Sequence, residues 1–226
     1  MVALVVRTYR TGSIGELTGK EHNMGRIITI GREFGSGGRE LGRRLAQNLG
    51  IAYYDRQIVT EIAKRTALTE DYVQHLTESS PAALLPISIG RSFYPVVDPV
   101  MQQNLSVYAE QHRLLAELAD KSDCVIVGRG ADYILRDKKP FRIFVYADCD
   151  SKVMRCLMRK KPDEKLTEKE IKKKIASIDA HRAKYYEFIS GNKWGVRENY
   201  DLMINTSNRD IKKIAAALAN CIKAFA

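Results

Sequence analysis

The sequence predicts a three-layer α/β domain, a parallel sheet of about five strands flanked by helices. Three observations carry this reading. Short apolar runs alternate with helix-like stretches along the chain. Two of the runs, CVIVG (Cys124–Gly128) and RIFVY (Arg142–Tyr146), are almost continuously apolar, as strands buried on both faces must be. The first run passes directly into a glycine cluster and then a helical stretch, a strand–loop–helix unit of the kind that cradles phosphate.

Taken in order, Ile27–Ile30 is a β-branched strand, the glycine cluster follows, and Arg39–Leu49 is a helix ended by Gly50, a residue that accepts the left-handed C-cap conformation. Ile51–Tyr54 is a second short strand. Asp55 stands before the helical stretch RQIVTEIAKR and could cap it, and Thr69 caps another helix through about Glu78. Pro81, Pro86, Pro95 and Pro99 break Ser79–Val100 into a long loop or short irregular helices, and long loops in compact domains are usually functional or disordered. A helix over Met101–Ala119 leads into the two buried strands. From Ser151 two helices flank the segment KKPDEKL. The second opens on a capping box, Thr167 with Glu170, and turns Ile171, Ile175 and Ile178 to one side. Leu202–Thr206 is the last strand and Asp210–Ala224 the last helix.

At 226 residues the chain suits one domain, here residues 24–226. Residues 1–23 are polar and turn-rich, lack the apolar core of a secretory signal, and read as a poorly ordered extension without a role of its own. The four cysteines show no C-x-x-C spacing, which points away from a zinc site or a disulfide framework; three of them sit in apolar surroundings and read as small core residues in a reducing cytoplasm. No run is long enough to span a membrane. The net charge of +10 implies an anionic partner. Nucleic acid would satisfy it, but the aromatic interleaving used for single-stranded bases is missing, and a pocket for several phosphates needs the same sign of field. Much of the charge, as in RKK and KEIKKK, suits a solvated helix face.

The glycine loop EFGSGGREL offers Gly35, Ser36, Gly37 and Gly38, then Arg39 and Glu40. Backbone N–H groups at a helix mouth bind phosphate, and glycines let the chain curl tightly enough for them to converge. Against G-x-x-x-x-G-K-[ST], Glu33 replaces the first glycine, Arg39 takes the lysine position, and the magnesium-holding Ser/Thr is absent. Arginine keeps the charge and can fork onto two phosphate oxygens.

The loop GREFGSGGRELG, then YYD, CVIVGRGADYIL, DAHRAKYY and NKWG…NYDLMINTS together resemble the cytidylate kinase-like family, from Arg26 to about the end of the chain. The resemblance implies a P-loop kinase fold with an acceptor-binding region near residues 56–120 and a short mobile lid near 155–175. It implies transfer of the ATP γ-phosphoryl group, with Mg2+, to a nucleoside monophosphate, CMP or dCMP favoured. It places the donor phosphates on Gly35–Arg39 and Glu40, and the acceptor beside Asp55, Arg113, Arg129, Asp179 and Arg182. Arg39, Arg129, Arg155, Arg159 and Arg182 would spread positive charge around the transferring group. Lys174 could join them, and His181 is a bystander. Family members carrying DGRD have an aspartate two residues before the arginine; this chain has Val127 there and Gly130 after it, so the residue that orients magnesium is not identified. A different small acceptor, a binding protein without catalysis, or an RNA-binding surface are the competing readings. The oligomeric state is open, and a monomer is compatible with the sequence.

Overall fold

A computed structural model of the protein describes residues 26–78, 99–160 and 166–224. The expected N-terminal extension, nearly all of the proline-broken segment and the centre of the expected lid lie outside those residues.

The apolar runs form strands β1 (Ile27–Arg32), β2 (Ala52–Tyr54), β3 (Cys124–Val127), β4 (Phe141–Tyr146) and β5 (Leu202–Asn205). They make one sheet in the order β2-β3-β1-β4-β5, every pair parallel. Ile28 stands opposite Val125 and Phe141, and Ile30 opposite Val127 and Ile143. On one face Ile28, Ile30, Val127 and Val145 meet Leu41 and Leu45 of α1 (Gly38–Leu49) and Ala215 of α8 (Ile211–Ala224). On the other, Ile27, Cys124 and Ile126 meet α2 (Arg56–Thr66), α3 (Glu70–Glu78), α4 (Pro99–Lys121) and α5 (Ala131–Ile134). Both faces are covered, which is why the strands are apolar at successive positions. Each fully buried side chain of this size contributes about 1.5–3 kcal/mol. Two further helices, α6 (Cys149–Met158) and α7 (Glu168–Ser190), pack through Val153, Ile171 and Ile175 against Phe34 of the glycine loop.

Helix ends follow their local chemistry. Gly50 closes α1 in the left-handed region at φ 68°, Asp148 accepts from the Ser151 N–H to start α6, and the Thr167–Glu170 capping box starts α7. Asp55 precedes α2 but makes no side-chain cap hydrogen bond, leaving its carboxylate for other work. Pro99, expected to break the chain, instead starts α4, where a missing N–H costs nothing. The four-residue α5 is too short for any periodicity to announce.

Topology opens a crevice beside the glycine loop. The chain leaves β1 into α1 on one face and leaves the adjacent β3 into α5 on the other. Helices diverging from neighbouring strands open a crevice at the carboxyl ends. Among the described residues no helix is long and apolar enough to cross a membrane.

Candidate active site

Between β1 and α1 the chain turns through Glu33–Gly37, with Gly35 and Gly37 at φ 76° and 82°. A Cβ on Gly35 would lie 3.0 Å from the Lys152 carbonyl oxygen, and one on Gly37 would collide with Ile211. Ser36 is fully buried: its hydroxyl donates to the Glu33 carbonyl at 2.8 Å, and its own carbonyl accepts from Thr206 Oγ1 at 2.6 Å. Arg155 donates to the carbonyls of Gly35 and Thr206. The loop is therefore held from outside, and of the first N–H groups of α1, which have no intrahelical acceptor, that of Gly38 donates to Ser36 Oγ at 3.4 Å. Such a nest with a helix dipole behind it binds phosphate.

Beside the loop, at the β1 and β3 ends, lies a cleft lined by Arg32, Arg129 and Arg182 with Thr77, Asp132, Tyr185 and Tyr186. Arg32 and Arg129 are 7% and 5% exposed, so the cleft presents charge that water screens weakly. The turn GRG sets its geometry: Gly128, Arg129 and Gly130 all lie at positive φ, 75°, 64° and 61°. For arginine that conformation costs about 1–2 kcal/mol and is retained by contacts. Gln111 Nε2 donates to the Arg129 carbonyl at 2.8 Å and to Tyr185 Oη at 2.7 Å, while Arg129 Nη1 donates to Thr77 Oγ1. Arg182 donates to the Arg32 carbonyl at 3.3 Å and lies over the Phe34 ring. Asp132 accepts from Tyr186 Oη at 2.8 Å; burial pushes its carboxyl up, against the pull of that hydrogen bond.

The model of the cytidylate kinase-like family matches residues 27–208, which include both loop and cleft. The chain belongs to this family. No curated protein matches it. Of solved structures, an uncharacterized protein from Eubacterium ventriosum is 25% identical over 88% of this chain and 98% of its own, at a TM-score of 0.63. Shikimate kinase from Bacteroides thetaiotaomicron is 15% identical over 88% and 98%, at 0.53. Shikimate kinase from Acinetobacter baumannii, solved with shikimate, is 15% identical over 89% and 94%, at 0.50. These likenesses place the chain among P-loop kinase folds, as the sheet order and glycine loop do.

Set against this family membership, the expected residues separate into groups. Arg129 and Arg182 line the cleft, and Arg32, to which sequence reasoning assigned nothing, joins them. Its signal was positional: the first arginine after an apolar strand, at the carboxyl edge of the sheet. Arg39, expected at the lysine position, turns instead to β2, its Nε 2.5 Å from Asp55 Oδ2. Tyr53 Oη donates to the same carboxylate at 3.4 Å, and burial, then Asp55, push that phenol up to about 12. Arg155 supports the loop backbone, whereas Arg159 pairs with Glu40 at 2.5 Å on the surface.

Two acceptor-side expectations meet a different placement. Arg113 does not join the cleft: it is 62% exposed on α4 and pairs with Glu110 at 2.8 Å, because its helix turns Leu114 and Leu115 to the core instead. Asp179 shares α7 with Arg182 as the spacing implied, but its Oδ1 accepts from the Phe34 N–H at 2.6 Å, and Lys152 lies 3.4 Å from its Oδ2. Burial pushes the Asp179 carboxyl up, opposed by the Phe34 N–H and the Lys152 charge. His181 and Lys174 are exposed on α7.

The donor set fits a nucleotide that brings its own magnesium. Among the described residues no three His, Cys, Asp or Glu side chains group to hold a metal. Asp55, Asp132 and Asp179 are engaged by Arg39, Tyr186 and Lys152. Mg2+ keeps several waters and accepts phosphate oxygens readily, so the nest and the arginines suit a phosphate-borne ion.

Proposed function

We propose that the protein is a cytoplasmic nucleoside monophosphate kinase that transfers the γ-phosphoryl group of ATP, with CMP or dCMP the favoured acceptor. The observation that carries this is the cleft in which Arg32, Arg129 and Arg182 meet beside the phosphate loop. The planar fork of arginine recognises phosphate oxygens in pairs, and the cleft stands at the carboxyl ends of β1 and β3, where open α/β sheets bind ligands.

In this reading Gly35–Glu40 hold the β- and γ-phosphates by backbone N–H groups. Arg32 and Arg182, adjacent to Phe34, face the equatorial oxygens, and Arg129 holds the acceptor phosphate. An acceptor phosphate oxygen attacks the γ-phosphorus in line as the bond to the ADP oxygen breaks, and no proton needs a protein base when that oxygen is ionised. Magnesium on the phosphates supplies further neutralisation of developing charge. Residues 56–120 act as the acceptor region and 155–175 as a lid whose closure excludes water as a competing acceptor. Four free cysteines agree with a reducing compartment.

The test is ATP consumption with every ribo- and deoxyribonucleoside monophosphate, products identified by mass, in the presence and absence of magnesium. CDP or dCDP formed in stoichiometry with ADP is the expected result. Turnover only with a non-nucleotide acceptor would retain the kinase and overturn the acceptor. ATP binding without any transfer would overturn catalysis.

A further inference from the structure

The phosphate loop departs from its motif at Glu33, where a glycine is usual, and a carboxylate there needs a cation. Lys152 of α6 supplies it: Nζ is 3.1 Å from Glu33 Oε2 and 3.4 Å from Asp179 Oδ2. The lysine side chain is 12% exposed, those of Glu33 and Asp179 26% and 16%. Both carboxylates also grip backbone. Glu33 Oε2 accepts from the Ala147 N–H at 3.2 Å, at the end of β4, and Asp179 Oδ1 accepts from the Phe34 N–H at 2.6 Å. The Lys152 backbone lies directly against Gly35.

We infer that Lys152 is a positioning residue for donor binding, an ionic strap that keeps the phosphate loop in its binding shape by joining Glu33 to Asp179. Without its charge, two partly buried carboxylates of like sign confront each other next to the nest. The cheapest relief is for Glu33 or Phe34 to swing out, which opens the loop. The strap also has a functional address. Lys152 stands on α6 and Asp179 on α7, so both helices are tied to the donor loop through one ammonium group. This role rests on the reading of the loop as the ATP site, and its test separates the two.

ATP affinity is measured by calorimetry without acceptor, and amide exchange is followed at residues 34–38, for wild type, Lys152→Met, Lys152→Arg, Glu33→Gln and the double variant Glu33→Gln/Lys152→Met. Lys152→Met is expected to raise the Kd for ATP by about tenfold or more and to speed exchange at Phe34, with α8 exchange unchanged. Lys152→Arg restores most of the affinity. In the double variant only one carboxylate remains, so it binds better than Lys152→Met alone, a coupling that independent sites would not show. Wild-type affinity and exchange in Lys152→Met would overturn the strap, as would a double variant no better than the single. If Lys152→Met fails to fold, a Lys152→Arg protein with wild-type exchange supports the strap, and one with a mobile loop overturns it. Wild type that binds no ATP refutes the nucleotide reading, while the exchange data still decide whether Lys152 holds the loop.

Discussion

Replacing Arg32 should damage catalysis far more than replacing Arg39, although Arg39 is the residue that the loop motif singles out. Arg32 is 7% exposed and lines the cleft; the Arg39 side chain is 42% exposed and committed to Asp55 at 2.5 Å. A unit charge about 4 Å from another is worth roughly 4 kcal/mol at the effective dielectric of a protein site and about 1 kcal/mol in water. With each 1.4 kcal/mol a factor of about ten, Arg32→Ala should lower kcat by roughly 10²–10³ and Arg39→Ala by about tenfold at most. The assay is steady-state turnover with ATP and the acceptor found in the screen, beside ATP affinity without acceptor and a thermal melt to establish folding. Arg32→Lys should recover little, because Lys lacks the planar fork. Turnover of Arg32→Ala within threefold of wild type, or a larger loss for Arg39→Ala, would refute the assignment of the cleft as the place where charge develops.

Gln111→Leu removes the donor that holds the Arg129 carbonyl in its positive-φ turn; kcat should fall about tenfold and stability by about 1–3 kcal/mol, with ATP affinity unchanged. Gly37→Ala should weaken ATP binding and lower the melting temperature, since the left-handed conformation costs about 1–2 kcal/mol and the new methyl meets Ile211; calorimetry on the Gly37→Ala/Ile211→Val pair should show partial recovery. Asp132 has a carboxyl raised by burial, so its contribution to stability is full below the unfolded carboxylate range near 3.8 and is lost as pH rises through the folded value. Asp132→Asn should therefore gain on wild type in thermal melts as pH increases from about 4 toward 8, and a widening advantage for wild type would contradict this.

The sheet, its parallel sense and the glycine loop were legible because they depend on composition at adjacent positions. A strand buried on both faces must be apolar throughout, and a phosphate nest must have glycine at Gly35 and Gly37, whatever surrounds them. Caps were legible for the same reason: Thr167 and Glu170 meet across one turn of their own helix. The site residues divide on this line. Arg129 and Arg182 could be named from local context; Arg32 carried the same positional signal as Arg129, at the end of an apolar strand, but only the fold places its side chain in the cleft. A topology in which α1 and α5 leave adjacent strands on opposite faces opens the cleft at its side chain. Arg39 and Arg113 show the converse. Both occupy positions that the linear pattern marks, yet Arg39 is claimed by Asp55, brought alongside by folding, and Arg113 pairs with Glu110, three residues back on its own helix, on a face that packing leaves exposed. Spacing along the chain determines which residues share an element and a face. Which charges become partners is decided by packing between elements far apart in sequence, as Glu33, Lys152 and Asp179 are, because ion pairs form through space over a few ångströms and carry no local signature.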